Sequence, residues 1–257
     1  MKEILITNDD GYESPGLLAL VEALEGLGHV TVVAPTTEKS ACGHSLTLTR
    51  PLSFISVGDD FYKLDDGTPS DCVYLAFHSI FEERKPDLVI SGINKGSNMG
   101  EDITYSGTAA GAMEAVLHGV PAIAISQVMD FTQPVGDFAL AKQAIRHLVG
   151  KIFDGEFPLN EREFLNVNIP YDVEELNFAV TYAGYRYYAN DAHLHRNPRG
   201  LEYYWLGLHP LEFKARADRE SHGLCDFEAI EQGMVSISPI KLDMTSYDTL
   251  HKLREWL

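Results

Sequence analysis

Short apolar runs alternate with segments of helical periodicity through the first half of the chain. The apolar runs lie at 4–6, 30–34, 88–90 and 122–125, and segments with helical spacing lie at 70–81, 107–118 and 138–152. This alternation favours a mostly parallel sheet with helices on both of its faces. We therefore predict a Rossmann-like, three-layer α/β fold.

Two adjacent aspartates, Asp9 and Asp10, come three and four residues after the end of the first apolar run. Gly11 comes next, and an Asp-Gly pair is also a common signal for a hairpin turn. A hairpin needs a second strand, whereas Ser14 and Pro15 here are typical of the N-cap and the first position of a helix. The pattern therefore predicts that both carboxylates lie at the sheet edge where open α/β folds bind ligands.

The pattern changes after about residue 170. Aromatic and turn residues at 182–208 indicate β-hairpins, 235–240 indicates a late strand, and 246–257 indicates a closing amphipathic helix. We expect an α/β catalytic core at 1–180 and a C-terminal extension of hairpins and a terminal helix at 181–257. Four tyrosines in this region fit either base stacking or an oligomer contact; they are Tyr182, Tyr185, Tyr187 and Tyr188.

Charge and cysteine usage narrow the class of protein. The formal net charge of −18 over 257 residues repels polyanions, so we expect no nucleic acid polymer as partner. Neither a signal peptide nor a membrane-spanning stretch is expected. The cysteines are odd in number and widely separated, which fits a reducing cytoplasm better than a disulfide framework or a zinc site; they are Cys42, Cys72 and Cys225.

Polar side chains follow several of the predicted strands. Asp9 and Asp10 follow the first, Ser40 follows the second, and Asn94 and Asn98 lie in the loop after 88–90. Because carboxyl ends of parallel strands share one edge, these residues should meet there. Their oxygens suit magnesium or manganese rather than zinc. Taken singly, Ser40 also fits a turn and Asn94 a left-handed backbone position.

Ser106, Gly107 and Thr108 open the predicted helix 107–118. Unpaired amides at a helix start attract anions, and the two hydroxyls add donors. This arrangement indicates a phosphate site at the same edge of the sheet. A simple N-cap role for Ser106 is an equally good interpretation.

Several segments occur in a characteristic order: Asn8-Asp9-Asp10-Gly11, Ser40 ahead of Ser45-Leu46-Thr47, Gly67-Thr68-Pro69-Ser70-Asp71-Cys72-Val73, Ser91-Gly92-Ile93-Asn94, Tyr105-Ser106-Gly107-Thr108, and Gly233 with Val235-Ser236-Ile237-Ser238-Pro239. Together these segments resemble the SurE family of nucleotidases. The resemblance runs from about residue 4 to 245. This chain has Ser70 at a position where threonine is common in the family. Residues 185–198 do not align with the family pattern.

The resemblance implies a cytoplasmic, metal-dependent nucleotidase that acts on nucleoside 5′- and 3′-monophosphates. It also implies a homodimer or homotetramer in which the segment after the core is exchanged between subunits. One divalent cation, Mg²⁺ or Mn²⁺, would be bound by Asp9, Asp10, Ser40 and Asn94. We assign catalysis to Asp9, Asp10 and Asn98, and substrate or phosphate binding to Asn8, Gly43, Ser106, Gly107 and Thr108.

Other interpretations stay open at this point. Water could attack the phosphorus directly, with Asp9 or Asp10 orienting it, or Asp9 could act as a nucleophile and form an aspartyl-phosphate. The chain could also be a nucleotide- or metal-binding sensor without turnover, or a sugar-transferring enzyme. The sequence does not indicate the preferred nucleotide, the ester position, activity on polyphosphate, the metal or the assembly state. We expect no membrane partner.

Overall fold

The computed structural model describes residues 1–130, 132, 138–155, 157–188, 191–207 and 210–257. Its strands are β1 (Glu3–Thr7), β2 (His29–Pro35), β3 (Phe54–Gly58), β4 (Phe61–Leu64), β5 (Leu88–Lys95), β6 (Ala122–Gln127), β7 (Glu163–Ile169), β8 (Phe178–Val180), β9 (Tyr185–Tyr188), β10 (Asp191–Arg196), β11 (Glu202–Gly207), β12 (Pro210–Lys214) and β13 (Val235–Lys241). Its helices are α1 (Pro15–Ala23), α2 (Pro69–Phe77), α3 (Gly107–Leu117), α4 (Ala139–Asp154), α5 (Asp226–Glu231) and α6 (Leu250–Trp256). Short 3₁₀ helices lie at Gly100–Thr104, Ala217–His222 and Tyr247–Thr249.

A nine-stranded sheet in the order β3-β4-β2-β1-β5-β6-β7-β13-β8 forms the middle layer. The six strands from β4 to β7 in this order pair in parallel, whereas β3 pairs antiparallel with β4 and β13 antiparallel with β7. Because β1 and β5 are neighbours and the chain leaves them on opposite sides, their carboxyl ends open a crevice. The predicted three-layer α/β fold is confirmed.

The two faces of the sheet bury separate apolar cores. Along β1, Ile4 and Ile6 pack into the core under α1 and α4, while Leu5 packs into the core under α2 and α3. Since successive side chains of a strand point to opposite faces, a continuous apolar run is required where both faces are covered. This explains the uninterrupted apolar run in the first strand.

Helix starts are set by side chains that the sequence supplies locally. Ser14 accepts a hydrogen bond from the backbone of Leu17 at the start of α1, with Pro15 at the first helical position, as predicted. Thr68 and Asp71 form a reciprocal capping box at the start of α2. Both helices therefore begin where their capping residues place them.

Some elements differ from the predictions. The helix expected at 70–81 ends at Phe77, and Asn94, expected in a loop, lies inside β5 after a shift of register between Ser91 and Asn94. Strands β3, β4, β7 and β8 of this sheet were not predicted. The sequence of β7 alternates apolar residues with Asn166 and Asn168, whose amides are buried, so it lacks a continuous apolar run.

The C-terminal part contains the predicted hairpins, with β10 paired to β11 and β12 to β9. Part of the predicted hairpin region, at 189–190 and 208, lies outside the described residues. After the hairpins the chain returns to the core, because β13 inserts between β7 and β8. The terminal helix forms as α6 and has no buried residue. In the part of the chain that the structure describes, no helix combines the length and the apolar character that crossing a bilayer requires.

Candidate active site

A cavity of about 370 Å³ lies where β1 and β5 end and α3 begins. It is lined by Asp9, Ser40, Ala41, Asn94, Lys95, Ser97, Asn98, Asp102, Tyr105, Ser106 and Tyr188. Five residues that the sequence predicted for the site therefore surround one space, within the size range of ligand pockets, roughly 300–1,000 Å³. Asp10 lines an adjoining cavity of about 450 Å³, and Lys95 borders both.

The carboxylate of Asp9 is buried against the start of α3. Thr108 donates its backbone amide to Oδ2 at 3.0 Å and its hydroxyl to Oδ1 at 2.5 Å. Burial raises the pKa of Asp9 to about 6, and the hydrogen bond from the Thr108 hydroxyl limits that rise. The helix start thus fixes this carboxylate in one orientation and favours its charged form.

Asp10 turns its carboxylate towards the neighbouring strand. Its Oδ2 accepts a hydrogen bond from the backbone amide of Lys95 at 3.0 Å, which ties the end of β1 to the end of β5. Burial also raises the pKa of Asp10 above its ordinary value, with Glu38 adding like-charge repulsion. The two adjacent aspartates are therefore both held by backbone amides, but on different elements.

Ser40 and Asn94 approach the cavity from two different segments. Ser40 is exposed and donates its hydroxyl to Glu38 at 2.8 Å. Asn94 donates its amide nitrogen to the carbonyl of Gly96 at 2.8 Å, which sets the orientation of its side chain. Both residues line the cavity together with Asp9, as the sequence predicted.

The segment that carries Ser40 is anchored to α3 by His44. His44 Nε2 lies 2.8 Å from Oε2 of the buried Glu114, and His118 Nε2 lies 3.0 Å from the other oxygen of the same carboxylate. One buried carboxylate of α3 therefore joins two histidines, and only His44 belongs to the segment beside the cavity.

Asn98 is held by a buried amide network. Its side chain donates to Ser126 Oγ at 2.8 Å, and its backbone amide donates to Asn168 Oδ1 at 2.8 Å. Its carbonyl accepts from the side chains of Asn166 and Asn168. The polar residues of β6 and β7 therefore position Asn98 at the cavity, a contribution that sequence patterns did not indicate.

The residues predicted to bind phosphate fall into two groups. Ser106 lines the cavity and also caps α3 by accepting from the amide of Ala109 at 2.9 Å, so both interpretations of it hold geometrically. Thr108 instead directs its hydroxyl and amide to Asp9. Gly107 packs against the same carboxylate, where an added Cβ would lie 2.7 Å from the Cβ of Asp9.

Asn8 and Gly43 do not line this cavity. Asn8 is fully buried and donates to the carbonyl of Gly11 and to Ser14 Oγ, which holds the turn after β1. The amide of Gly43 donates to the carbonyl of Tyr105 at 2.9 Å. Asn8 therefore supports the turn after β1, and Gly43 connects its own segment to the residues before α3.

Six residues that line the cavity were not predicted for the site: Ala41, Lys95, Ser97, Asp102, Tyr105 and Tyr188. Tyr105 precedes the predicted phosphate-binding residues but had no predicted role, and Tyr188 is one of the four tyrosines that fit either base stacking or an oligomer contact. Tyr188 donates its hydroxyl to Asp102, so a strand of the extension reaches the cavity wall. The two residues are 86 positions apart in the sequence, so the place of Tyr188 at the cavity depends on tertiary structure.

The residues present fit a hard divalent cation. Carboxylates, a hydroxyl and an amide oxygen from Asp9, Asp10, Ser40 and Asn94 would supply an all-oxygen donor set of the kind that Mg²⁺ and Mn²⁺ prefer. Burying two neighbouring carboxylates is costly unless a cation offsets their charge. Within the described residues, no three His, Cys, Asp or Glu side chains form a group that could hold a metal ion.

Fold and site together define a doubly wound α/β protein with an acidic, oxygen-rich cavity at the carboxyl edge of its sheet. Residues 4–190 match the family model described as Survival protein SurE. The chain is 65% identical to "5′-nucleotidase SurE" of Sulfurimonas denitrificans, over 99% of this chain and 98% of that protein. The chain belongs to the SurE family.

Two further relatives agree over the whole length. "5′-nucleotidase SurE" of Helicobacter hepaticus is 61% identical over 100% of this chain and 99% of that protein. The crystal structure of Sure protein from Aquifex aeolicus superposes with a TM-score of 0.82 at 41% identity, covering 99% of each chain. The similarity thus includes both the core and the C-terminal hairpins.

Proposed function

We propose that this protein is a metal-dependent nucleotidase that hydrolyses nucleoside 5′-monophosphates, and also 3′-monophosphates, to nucleoside and inorganic phosphate. The observation that carries the proposal is the convergence of Asp9, Ser40 and Asn94 on one cavity, in a chain whose full-length relatives are named 5′-nucleotidase. Asp10 completes the proposed cation site from the adjoining cavity.

The roles of the residues follow from their contacts. Bound at Asp9, Asp10, Ser40 and Asn94, a divalent cation, Mg²⁺ or Mn²⁺, would supply polarisation of a phosphate oxygen and a lower pKa for a bound water. Thr108 holds the carboxylate of Asp9 in place. Asn98 and Ser106 face the cavity with donors for the phosphoryl oxygens.

We favour direct attack by water over an aspartyl-phosphate. Both oxygens of Asp9 accept hydrogen bonds from Thr108, which suits a carboxylate that holds or orients a group rather than one that moves to attack phosphorus. Rapid-quench experiments with labelled substrate should therefore trap no phosphorylated protein during turnover. A phosphoprotein that forms and decays at the turnover rate would reverse this assignment.

Phosphate release from a panel of nucleoside monophosphates, with Mg²⁺ and Mn²⁺ in turn, tests the function. Chelator and Asp10→Asn should each abolish release, whereas Asp59→Asn, which neutralises an exposed aspartate in the turn between β3 and β4, should not. Binding of nucleotide without release would indicate a sensor. Release without any acceptor sugar excludes a sugar-transferring enzyme.

We also propose a homodimer or homotetramer in the cytoplasm, with 181–257 as the segment that contacts or exchanges with a second subunit. Large apolar side chains of this segment are exposed in the single chain, as expected for a surface that another chain covers; they include Trp205, Leu206, Trp256 and Leu257. All three cysteines are unpaired, which agrees with a reducing compartment. Light scattering on the purified protein measures the assembly state.

A further inference from the structure

Two aromatic residues, Tyr105 and Tyr188, line the cavity together with its polar residues. Asp9 and Ser106 are 4% and 6% exposed, whereas Tyr105 is 61% exposed and Tyr188 is partly buried. The cavity therefore runs from a buried polar wall to an outer edge that carries two aromatic rings. A phosphate ester bound at the polar wall would extend its alcohol part towards that outer edge.

Tyr188 is held firmly at this edge although it belongs to the extension. Its hydroxyl donates to Asp102 Oδ1, and Arg186 Nε donates to Asp102 Oδ2 at 3.1 Å. The backbone amide of Arg186 also donates to Glu101 at 2.6 Å. Because Asp102 takes up the hydroxyl of Tyr188, the ring is the part of the side chain that remains for contact with a ligand.

A second anchor fixes the base of the same strand. The buried carboxylate of Asp226 accepts from the amide of Gly100 at 2.7 Å and from the amide of Gly184 at 2.9 Å. It thereby joins the residue before β9 to the start of the 3₁₀ helix that carries Asp102. The ring of Tyr188 is thus positioned before any ligand binds, which lowers the entropy cost of using it.

We infer that Tyr188, together with Tyr105, forms the nucleobase wall of the cavity and makes the enzyme prefer nucleoside monophosphates over phosphate esters that lack a base. The inference rests on the proposed nucleotidase function. Aromatic rings stack on bases with little dependence on base identity, since every base has a π-face. The wall therefore selects for the presence of a base rather than for one particular base.

The test compares adenosine 5′-monophosphate with ribose 5-phosphate, which keeps the sugar and phosphate but lacks the base. The loss of one stacking partner corresponds to about a 10- to 100-fold change in selectivity. We expect Tyr188→Leu to lower the ratio of the two kcat/KM values by that amount, mainly through KM for the nucleotide. Tyr188→Phe keeps the ring on a strand that Glu101 and Asp226 still anchor, so it should keep most of the ratio, whereas Tyr105→Leu should lower it.

Tyr187→Leu is the matched control, because Tyr187 is the neighbour on β9, packs against Lys214 and does not line the cavity. It should leave the ratio unchanged. If Tyr188→Leu leaves the ratio unchanged, for example because kcat/KM falls equally for both esters, the inference is overturned. The ring would then serve only the structure.

Failure of the proposed function gives a different result. If the wild type releases phosphate from neither ester, the nucleotidase proposal fails. Binding of both esters, measured by calorimetry in the presence of Mn²⁺, then tests the aromatic wall independently of turnover. Weaker binding of the nucleotide, with unchanged binding of ribose 5-phosphate, in Tyr188→Leu would still support the aromatic wall. Equal binding of the nucleotide to wild type and Tyr188→Leu would refute it.

Discussion

Thr108 donates two hydrogen bonds to the carboxylate of Asp9, a residue 99 positions earlier in the sequence. Its hydroxyl and its backbone amide each donate to a different oxygen, so the first turn of α3 determines where the carboxylate lies. A buried carboxylate held in this way would be a pre-oriented ligand for the proposed cation, and Thr108 would act through Asp9 rather than on the substrate.

Thr108→Val should weaken cation binding. The substitution keeps the shape of the side chain but removes the hydroxyl that lowers the pKa of Asp9, so protons compete better with the metal. Loss of such a supporting contact typically costs about 10- to 100-fold in metal affinity or activity. Phosphate release measured against Mn²⁺ concentration checks this. Thr108→Ser retains the hydroxyl and should remain close to wild type, and a Val variant with an unchanged metal requirement would contradict the role.

Gly107→Ala should displace the same carboxylate. The new Cβ would lie 2.7 Å from the Cβ and 2.9 Å from Oδ2 of Asp9, so one of the two groups must move. A displacement of about 1 Å in a site can cost on the order of 100-fold in rate. Gly150→Ala in α4 is the control, because its Cβ meets nothing within 4 Å. It should stabilise the fold by about 0.5–1 kcal/mol and leave phosphate release unchanged.

His44→Ala should raise the metal concentration needed for half-maximal activity by roughly tenfold, the lower end of losses from supporting contacts. His44 Nε2 lies 2.8 Å from Glu114 on α3, and His44 is four residues after Ser40, so its loss frees the segment that carries this proposed hydroxyl ligand. His118→Ala removes the other histidine on the same carboxylate, at 3.0 Å, without loosening that segment. Equal shifts in the two variants would show that the effect passes through Glu114 alone.

Local patterns predicted those parts of the fold that neighbouring residues determine. Ser14 and Pro15 start α1 as expected, and the apolar runs gave β1, β2, β5 and β6. The strand β7 escaped prediction because two of its buried positions are asparagines whose amides serve Asn98. In β7 a buried polar network takes the place of apolar side chains. Hydrophobic periodicity therefore does not predict a strand whose buried residues support the site.

The candidate site was predictable to the extent that strand ends determine it. Asp9, Ser40 and Asn94 were expected at one edge and line one cavity, yet nothing in the Asp9-Asp10 pair indicated that its two carboxylates would be held by different elements. The contacts of Asp226 and Tyr188 join segments 126 and 86 residues apart. Such pairs depend on how the extension folds back onto the core, which no local pattern reports.

His29 should make stability depend on pH at the edge of the sheet opposite the site. Its Nδ1 lies 2.7 Å from Glu3 and its Nε2 lies 3.0 Å from Asp60, and these hydrogen bonds raise its pKa above the ordinary value of 6.5. Between 6.5 and the raised pKa the folded protein holds more protons than the unfolded chain. The stabilisation is therefore complete below about pH 6.5 and is lost as the pH rises through the raised pKa.

The free energy of unfolding, measured with urea at several values from pH 6 to pH 9 in the presence of chelator, checks this for wild type and His29→Gln. The histidine side chain is 42% exposed, so solvent screening limits its contribution to at most about 1 kcal/mol. Wild type should lose its advantage over the variant as the pH rises, because glutamine keeps a polar side chain at this position but does not titrate. A constant difference between the two proteins across this range would mean that the pairs with Glu3 and Asp60 carry no net electrostatic stabilisation.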